Sequence, residues 1–148
     1  MGAQFTRSRK AIRMRGPFVL KGGVFSLQDC PDLVPIMAVL ALFAKGRTVL
    51  KNIYHARAKE SDRISDLRRE LLKIGAKVEE RPNALVIYPL TNPKTKVTLD
   101  PHRDHRLAMA FAVLGLRVGV NVKDIECCRK SYPDFVRDFK ALGASIAR

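Results

Sequence analysis

Two segments of the chain are apolar on nearly all sides, whereas two others are apolar on one side only. Residues 33–43 and 107–116 hold almost no polar positions, which predicts helices that are enclosed by the rest of the protein. Residues 64–74 and 135–142 repeat apolar residues about every three to four positions, with basic or mixed residues between them. This spacing predicts surface helices with one buried face, so buried and surface helices should alternate along the chain.

The remaining patterned segments predict short strands bounded by turn residues. They are residues 11–14, 24–27, 48–53, 77–78, 84–88, 96–99 and 120–125. We expect turns at Gly22-Gly23 and at Pro82-Asn83. Strands 48–53 and 120–125 mix apolar residues with Lys and Asn, unlike strands that are covered on both faces. We therefore expect helices inside and sheets outside, the inverse of the common α/β layering.

The sequence contains an internal repeat with an offset of roughly seventy residues. The matched pairs are Asp32 with Asp104, Met37-Ala38 with Met109-Ala110, Lys51-Asn52-Ile53 with Lys123-Asp124-Ile125 and, at a slightly shorter offset, Gly75-Ala76 with Gly143-Ala144. Each copy runs through a buried helix, a strand, a charged stretch and a surface helix closed by glycine. We predict a basic leader or linker at residues 1–10 and a partial domain at 11–148, with copies at about 24–90 and about 95–148.

Composition limits the chain to one ordinary domain or a part of one. Its 148 residues are 47% hydrophobic, which is enough for a real core. Three cysteines offer no paired framework and no zinc motif, which favours a reducing, cytoplasmic compartment. The longest apolar run, residues 33–44, is too short to span a bilayer and contains Pro35, so we expect a soluble protein with no membrane partner.

The charge balance implies an anionic partner. Lysine and arginine number 28 against 14 acidic residues, which gives a formal net charge of +14. Phosphates, nucleic acid or an absent acidic part of a larger protein would each account for this excess. A non-catalytic basic domain that binds a polyanion or nucleic acid therefore stays open as an alternative. Against nucleic acid, the sequence has neither an aromatic stacking set nor an RNA-binding motif.

Two short runs place acidic residues beside cations. The first is Lys59-Glu60-Ser61-Asp62-Arg63, at the expected start of a surface helix near Ser61, and the second is Asp104-His105-Arg106. Free backbone N–H groups in the first turn of a helix also attract anions, so such runs suit chemistry on a negatively charged substrate. Each run has a simpler interpretation. The first would be a solvated helix start, and Asp32 and Asp104 would only be N-caps of the two buried helices.

Five motifs together resemble those of 5-enolpyruvylshikimate-3-phosphate synthase. They are DCPD at residues 29–32, LFAKG at 42–46, HARAKESDR at 55–63, DHR at 104–106 and KSYPDF at 130–135. Their order and spacing match throughout. The resemblance implies an inverted α/β (α+β) domain of the enolpyruvyl-transferase type, built of βαβαββ repeats with buried helices and sheets outside. It also implies that the chain corresponds to about the last two repeats of the C-terminal domain.

The resemblance gives roles to the residues in these motifs. Arg63, Arg106 and Lys130 would bind phosphoenolpyruvate, as suits fixed cations that face a carboxylate and a phosphate. Glu60 would transfer a proton beside phosphoenolpyruvate, and nearby cations would help to keep it ionised until bound substrate anions raise its pKa.

Two further residues would belong to the acceptor substrate, and a third is a candidate for substrate binding. Asp32 would contact the shikimate hydroxyls and accept the proton of the attacking one, and Lys59 would contact the same substrate. His105 is a further candidate for substrate binding, although a histidine in such a position more often packs or hydrogen-bonds than reacts.

The implied reaction transfers the enolpyruvyl group from phosphoenolpyruvate to shikimate 3-phosphate, in the shikimate pathway to chorismate and aromatic amino acids. The resemblance implies no metal and no organic cofactor. The implied partners are the two substrates and the N-terminal domain of the same enzyme, without which we expect this chain to be inactive. A fragment of the sibling enzyme that acts on UDP-N-acetylglucosamine is a further alternative, although that sibling lacks the pairing of KESDR with DHR.

Overall fold

Eight strands and four α-helices follow one another in the computed structural model, which describes residues 1–146. The strands are β1 (Phe5–Arg7), β2 (Ile12–Met14), β3 (Lys21–Ser26), β4 (Lys45–Lys51), β5 (Val78–Arg81), β6 (Ala84–Ile87), β7 (Thr98–Leu99) and β8 (Asn121–Val122). The helices are α1 (Val34–Leu42), α2 (Arg63–Lys73), α3 (His105–Val118) and α4 (Phe135–Ala141), with short 3₁₀ helices at Pro31–Leu33, Tyr54–Ala58 and Ile125–Lys130. No helix in this part of the chain has the length and apolar character needed to cross a membrane.

The strands of residues 1–146 form two sheets and a separate hairpin. The larger sheet has the order β3-β4-β6-β5, in which β3 runs parallel to β4 and the other neighbours are antiparallel. Strands β7 and β8 form a parallel pair. Strands β1 and β2 form an antiparallel hairpin whose residues are all exposed, and β1 falls within the predicted basic leader. The last two residues of the predicted second copy, 147 and 148, lie outside the described part of the chain.

The two apolar helices lie inside the fold. Helix α1 packs against α3, and both contribute to one hydrophobic core. Val34 and Leu42, at the two ends of α1, are both buried, and Leu50 of β4 and Leu85 of β6 close the same core from the sheet side. Val24 of β3, in contrast, is 61% exposed. This arrangement of inner helices and outer sheets confirms the predicted inverted α/β class.

Side chains and glycines fix the helix ends that matter for the site. Asp62 accepts hydrogen bonds from the backbone N–H groups of Ile64 and Ser65, so α2 begins at Arg63, slightly later than the expected start near Ser61. Helix α3 is longer than the predicted segment 107–116. It ends at Gly119, whose φ of 71° is the left-handed conformation that favours glycine at this position.

Two local predictions are wrong. Gly22 and Gly23 lie within β3 and not in a turn, because β3 and β4 approach closely there: a Cβ on Gly22 would stand 2.5 Å from the carbonyl oxygen of Gly46. The predicted strand at 120–125 is reduced to β8, because Asp124 adopts a φ of 49° and the chain then enters a 3₁₀ helix.

Candidate active site

Arg63 is the centre of the candidate site. It is the first residue of α2, and its side chain is only 1% exposed. The guanidinium donates to three carboxylates: Nε to Asp104 Oδ2 at 2.7 Å, Nη1 to Asp32 Oδ1 at 2.8 Å, and Nη2 to Glu60 Oε2 at 3.0 Å. The fork of N–H donors on arginine allows all three bonds at once. The helix start, the two sequence runs and the DCPD motif therefore meet at one side chain.

Asp32 joins Arg63 to Arg106. It lies in the 3₁₀ helix that precedes α1, and its Oδ2 accepts a hydrogen bond from Arg106 Nη2 at 3.1 Å. The hydrogen bond from Arg63 lowers the pKa of Asp32 against the opposing effect of burial, and the charges of Arg106 and Lys59 lower it further. Helix α1 has no side-chain cap, so the interpretation of Asp32 as an N-cap is wrong.

Asp104 does cap its helix, and it also serves the site. Its Oδ1 accepts from the backbone N–H groups of Arg106 at 2.8 Å and Leu107 at 3.4 Å, which satisfies two free donors at the start of α3. Its Oδ2 accepts from Arg63, and the whole residue is buried. One carboxylate thus fixes the start of α3 relative to the start of α2.

Glu60 lies between Arg63 and Lys130, the last residue of the 3₁₀ helix Ile125–Lys130. Its Oε1 accepts from Lys130 Nζ at 2.7 Å. This bond is the main cause that lowers the pKa of Glu60 to about 2, with the charge of Arg63 acting in the same direction. The carboxylate is therefore ionised at neutral pH.

His105 is a further residue of the candidate site and lies near Glu60. Its Nδ1 is 3.9 Å from Glu60 Oε1, and this buried nitrogen has no hydrogen-bond partner among residues 1–146. Burial lowers the pKa of His105, so the imidazole is neutral at pH 7. A neutral ring at this distance can orient a neighbour or a ligand without adding charge.

The structure brings six of the seven predicted site residues into direct contact or close proximity. They are Asp32, Glu60, Arg63, His105, Arg106 and Lys130. The seventh, Lys59, is exposed and forms no ion pair with another described residue, although its charge acts on Asp32. Sequence reasoning missed Asp104 as a site residue; the available signals were its place at the head of DHR and its repeat match with Asp32.

The three cations differ in their access to solvent. The side chain of Arg106 is 38% exposed and that of Lys130 is 61% exposed, whereas Arg63 is buried under carboxylates. The Nε atom of Arg106 is buried and has no hydrogen-bond partner in the described part of the chain. A dianion that approaches from solvent would therefore meet Arg106 and Lys130 first, and would compete with Asp32 and Glu60 for them. Within residues 1–146, no group of three or more His, Cys, Asp or Glu side chains is arranged so that it could hold a metal ion.

The sequence of this chain resembles those of known proteins. The sequence model described as EPSP synthase (3-phosphoshikimate 1-carboxyvinyltransferase) matches residues 1–139. A 3-phosphoshikimate 1-carboxyvinyltransferase of Syntrophobacter fumaroxidans is 42% identical over 96% of this chain and 34% of its own length. One of Nitrosopumilus maritimus is 40% identical over 99% of this chain and 35% of its own length. The chain thus spans about a third of the length of the curated relatives that it matches.

Solved structures show the same fold. An EPSP synthase from Acinetobacter baumannii superposes with a TM-score of 0.85 at 27% identity, over 99% of this chain and 38% of that chain. The enolpyruvyl transferase NikO from Streptomyces tendae superposes with a TM-score of 0.80, over 99% of this chain and 34% of that one. Its 18% identity supports a common fold only.

Proposed function

The chain belongs to the EPSP synthase (3-phosphoshikimate 1-carboxyvinyltransferase) family, and from that premise we propose that it carries the phosphoenolpyruvate side of an enolpyruvyl-transfer site. The reaction would move the enolpyruvyl group of phosphoenolpyruvate onto a hydroxyl of shikimate 3-phosphate and release phosphate. The observation that carries the proposal is the convergence of Arg63, Arg106 and Lys130, from three separate elements, on the carboxylates of Asp32 and Glu60.

The cations suit a ligand with a carboxylate and a phosphate. Arg106 has an unused buried Nε donor, and both Arg106 and Lys130 reach solvent. Bound phosphoenolpyruvate would replace Asp32 and Glu60 as the partner of Arg106 and Lys130. Arg63 would stay bonded to Asp104 at the buried side of the site. Fixed cations of this kind stabilise the charge that develops on a departing phosphate.

Glu60 would then change its protonation state with ligand binding. While Lys130 is bonded to Glu60, this bond keeps the pKa of Glu60 at about 2, so Glu60 cannot donate a proton at neutral pH. A substrate anion that takes over Lys130 removes this bond and adds a negative charge nearby, and both changes raise the pKa of Glu60. The protonated acid would deliver its proton to the methylene carbon and recover one from the resulting methyl group when phosphate leaves.

Asp32 and Lys59 would serve the acceptor. Asp32 has its pKa lowered mainly by Arg63, so it is ionised and can accept the proton of the attacking hydroxyl. The exposed amine of Lys59 would contact the same substrate, and neutral His105 would contact the ligand without adding charge. We propose that the phosphate of shikimate 3-phosphate binds in the part of the relatives that this chain does not span, and that residues 11–148 alone have no turnover.

The test is complementation of the chain by the remaining part of a full-length relative. Phosphate release from phosphoenolpyruvate and shikimate 3-phosphate should be absent for the chain alone and present in the mixture. Arg106→Ala should abolish the activity of the mixture, whereas Arg117→Ala, an exposed arginine near the other end of α3, should not. Strong phosphate release by the chain alone, or equal activity of the two variants, would contradict the proposal.

A further inference from the structure

Helix α2 holds the turn before α3 at two points. At its first residue, Arg63 binds Asp104 at the end of the turn. Seven positions later, which is about two helical turns and therefore on the same face, Glu70 binds the beginning of the turn. Glu70 Oε2 accepts from the backbone N–H of Asp100 at 2.7 Å, and its Oε1 lies 3.2 Å from His102 Nε2. The side chain of Glu70 is 1% exposed, so these contacts are enclosed.

The turn needs such support because its backbone is unfavourable. His102 and Arg103 adopt φ values of 52° and 61°, which are left-handed conformations that residues with a Cβ avoid. Within the turn, Asp100 Oδ1 accepts from the backbone N–H of His102 at 2.8 Å, and Asp104 N donates to Pro101 O at 2.8 Å. Strained turns persist only where the surrounding structure holds them. Glu70 is a buried residue of α2 that ties the beginning of this turn to the helix.

The turn leads directly into the site. Asp104 is the last residue of the turn, and His105 and Arg106 follow it at the start of α3. The position of the turn therefore sets where Asp104 meets Arg63 and where the side chain of Arg106 begins. A displacement of residue 100 would therefore also displace Asp104, His105 and Arg106.

We propose that Glu70 is a positioning residue for the anion site: it holds the 100–104 turn against α2 and thereby places Asp104, His105 and Arg106. This inference rests on the proposed function for its consequence in ligand binding. The coupling between Glu70 and the start of α3 is a property of the chain itself, and it can be measured without a ligand.

Three variants of the chain separate this role from general stability. Glu70→Met keeps much of the side-chain length but removes both acceptor oxygens. Glu70→Gln keeps the shape and one acceptor for the N–H of Asp100. Lys73→Met removes the other partner of Glu70, a half-exposed lysine 2.6 Å away, and leaves the turn contacts intact. If Glu70→Met does not fold, Glu70→Asp replaces it, since it withdraws the carboxylate by about one carbon–carbon bond, ~1.5 Å.

The readouts are hydrogen exchange of single amides and calorimetric titration with phosphoenolpyruvate. In Glu70→Met, the amides of Arg106 and Leu107 should lose protection while that of Val86, in the β4–β6 pair, keeps it. Affinity for phosphoenolpyruvate should fall roughly tenfold to a hundredfold, as for other small displacements of binding groups. Glu70→Gln should keep most of the amide protection and most of the affinity for phosphoenolpyruvate. Lys73→Met should match the wild-type chain in both quantities.

Two outcomes would overturn the positioning role. One is unchanged protection of Arg106 and Leu107 in a folded Glu70→Met or Glu70→Asp chain. The other is an equal loss of amide protection and affinity in Lys73→Met. That result would show that the effect comes from the change in charge and not from the contacts of Glu70 with the turn. If the wild-type chain failed to bind phosphoenolpyruvate, the proposed function would fail, whereas the exchange data would still decide whether Glu70 positions the start of α3.

Discussion

Arg63 Nε donates to Asp104 Oδ2 across 2.7 Å, and this pair joins the first turn of α2 to the first turn of α3. Their side chains are 1% and 0% exposed. Because Asp104 also caps α3 through Arg106 and Leu107, loss of one carboxylate would disturb both helices.

Asp104→Ala should therefore destabilise the chain strongly. It removes an N-cap and takes one acceptor from a buried guanidinium, and broken buried ion pairs typically cost about 3–5 kcal/mol. Asp134→Ala is the matched control, because Asp134 precedes α4, is half exposed and makes no side-chain cap, so its loss should cost under about 1 kcal/mol. Urea unfolding of both variants measures this difference in stability, and equal unfolding midpoints would contradict the prediction.

The sequence predicts the helices of this fold better than its long-range contacts. Apolar periodicity depends on neighbours three or four positions away, so the enclosed α1 and α3 and the one-sided α2 could be predicted from local pattern. Asp104 could be recognised as a cap for the same reason. Its bond to Arg63 joins residues 41 positions apart, and no local pattern carries that information. Sequence reasoning therefore placed Asp32, Glu60 and Arg63 in one site, and it missed the buried bond from Arg63 to Asp104.

Gly22 shows how tertiary contact overrides a local signal. A Gly-Gly pair usually marks a turn, yet here the missing side chain lets β3 lie against β4. Only the position of the neighbouring strand distinguishes these two uses of glycine. The outcome could not be predicted without knowing that β3 and β4 pair in parallel.

Gly22→Ala should weaken the β3–β4 pairing. The new Cβ would lie 2.5 Å from Gly46 O and 2.6 Å from Arg47 O, and backbone atoms cannot move aside cheaply. We expect a loss of about 1–3 kcal/mol, as for other overpacked sites. Gly115→Ala, in α3, is the control: its Cβ would meet Val120 at an ordinary 3.6 Å, and the substitution should stabilise the helix by roughly 0.5–1 kcal/mol. Thermal unfolding should move in opposite directions for the two variants.

Asp32→Asn should strengthen anion binding by the chain. Asp32 neutralises part of the charge on Arg63 and Arg106, so an anionic ligand must compete with it. Removing that competitor should tighten phosphoenolpyruvate binding several-fold, by about 1 kcal/mol for a partly exposed pair. In the complemented enzyme, the same variant should lose turnover, because it removes the proposed acceptor of the hydroxyl proton.

Calorimetric titration of the chain and phosphate release by the mixture measure the two effects of Asp32→Asn separately. Asp29→Asn is the control, since Asp29 lies in the same DCPD motif and makes no ion pair with another described residue. Weaker binding in Asp32→Asn would show that this carboxylate supports the anion site and does not compete with the ligand.

Glu60 should contribute to stability in a defined pH range. Its folded pKa of about 2 lies below the ordinary value of 4.5, so folding favours the ionised form. This contribution is complete above pH 4.5 and disappears as the pH falls towards 2. The difference in Tm between the wild-type chain and Glu60→Gln should therefore be constant near neutrality and shrink through the acid range. A difference that does not change with pH would contradict the assignment of the shifted pKa to Glu60.

Glu60→Gln should also separate catalysis from folding at neutral pH. Arg63 keeps Asp32 and Asp104 as acceptors, and Lys130, which is 61% exposed, can return to water, so the stability loss should stay below the upper limit of about 3 kcal/mol that a pKa shift from 4.5 to about 2 sets. Binding of phosphoenolpyruvate should be largely kept, because the amide retains the shape of the site. Turnover of the complemented enzyme should nevertheless fall about a hundredfold to ten-thousandfold, as expected when a positioned acid or base is lost.

Glu126→Gln, a substitution at an exposed position of the 3₁₀ helix that carries Lys130, is the control and should change neither stability nor turnover. Tm and phosphate release measured on the same preparations decide the matter: a large stability loss with normal turnover per folded molecule would make Glu60 a structural partner of Arg63 and not the group that transfers the proton.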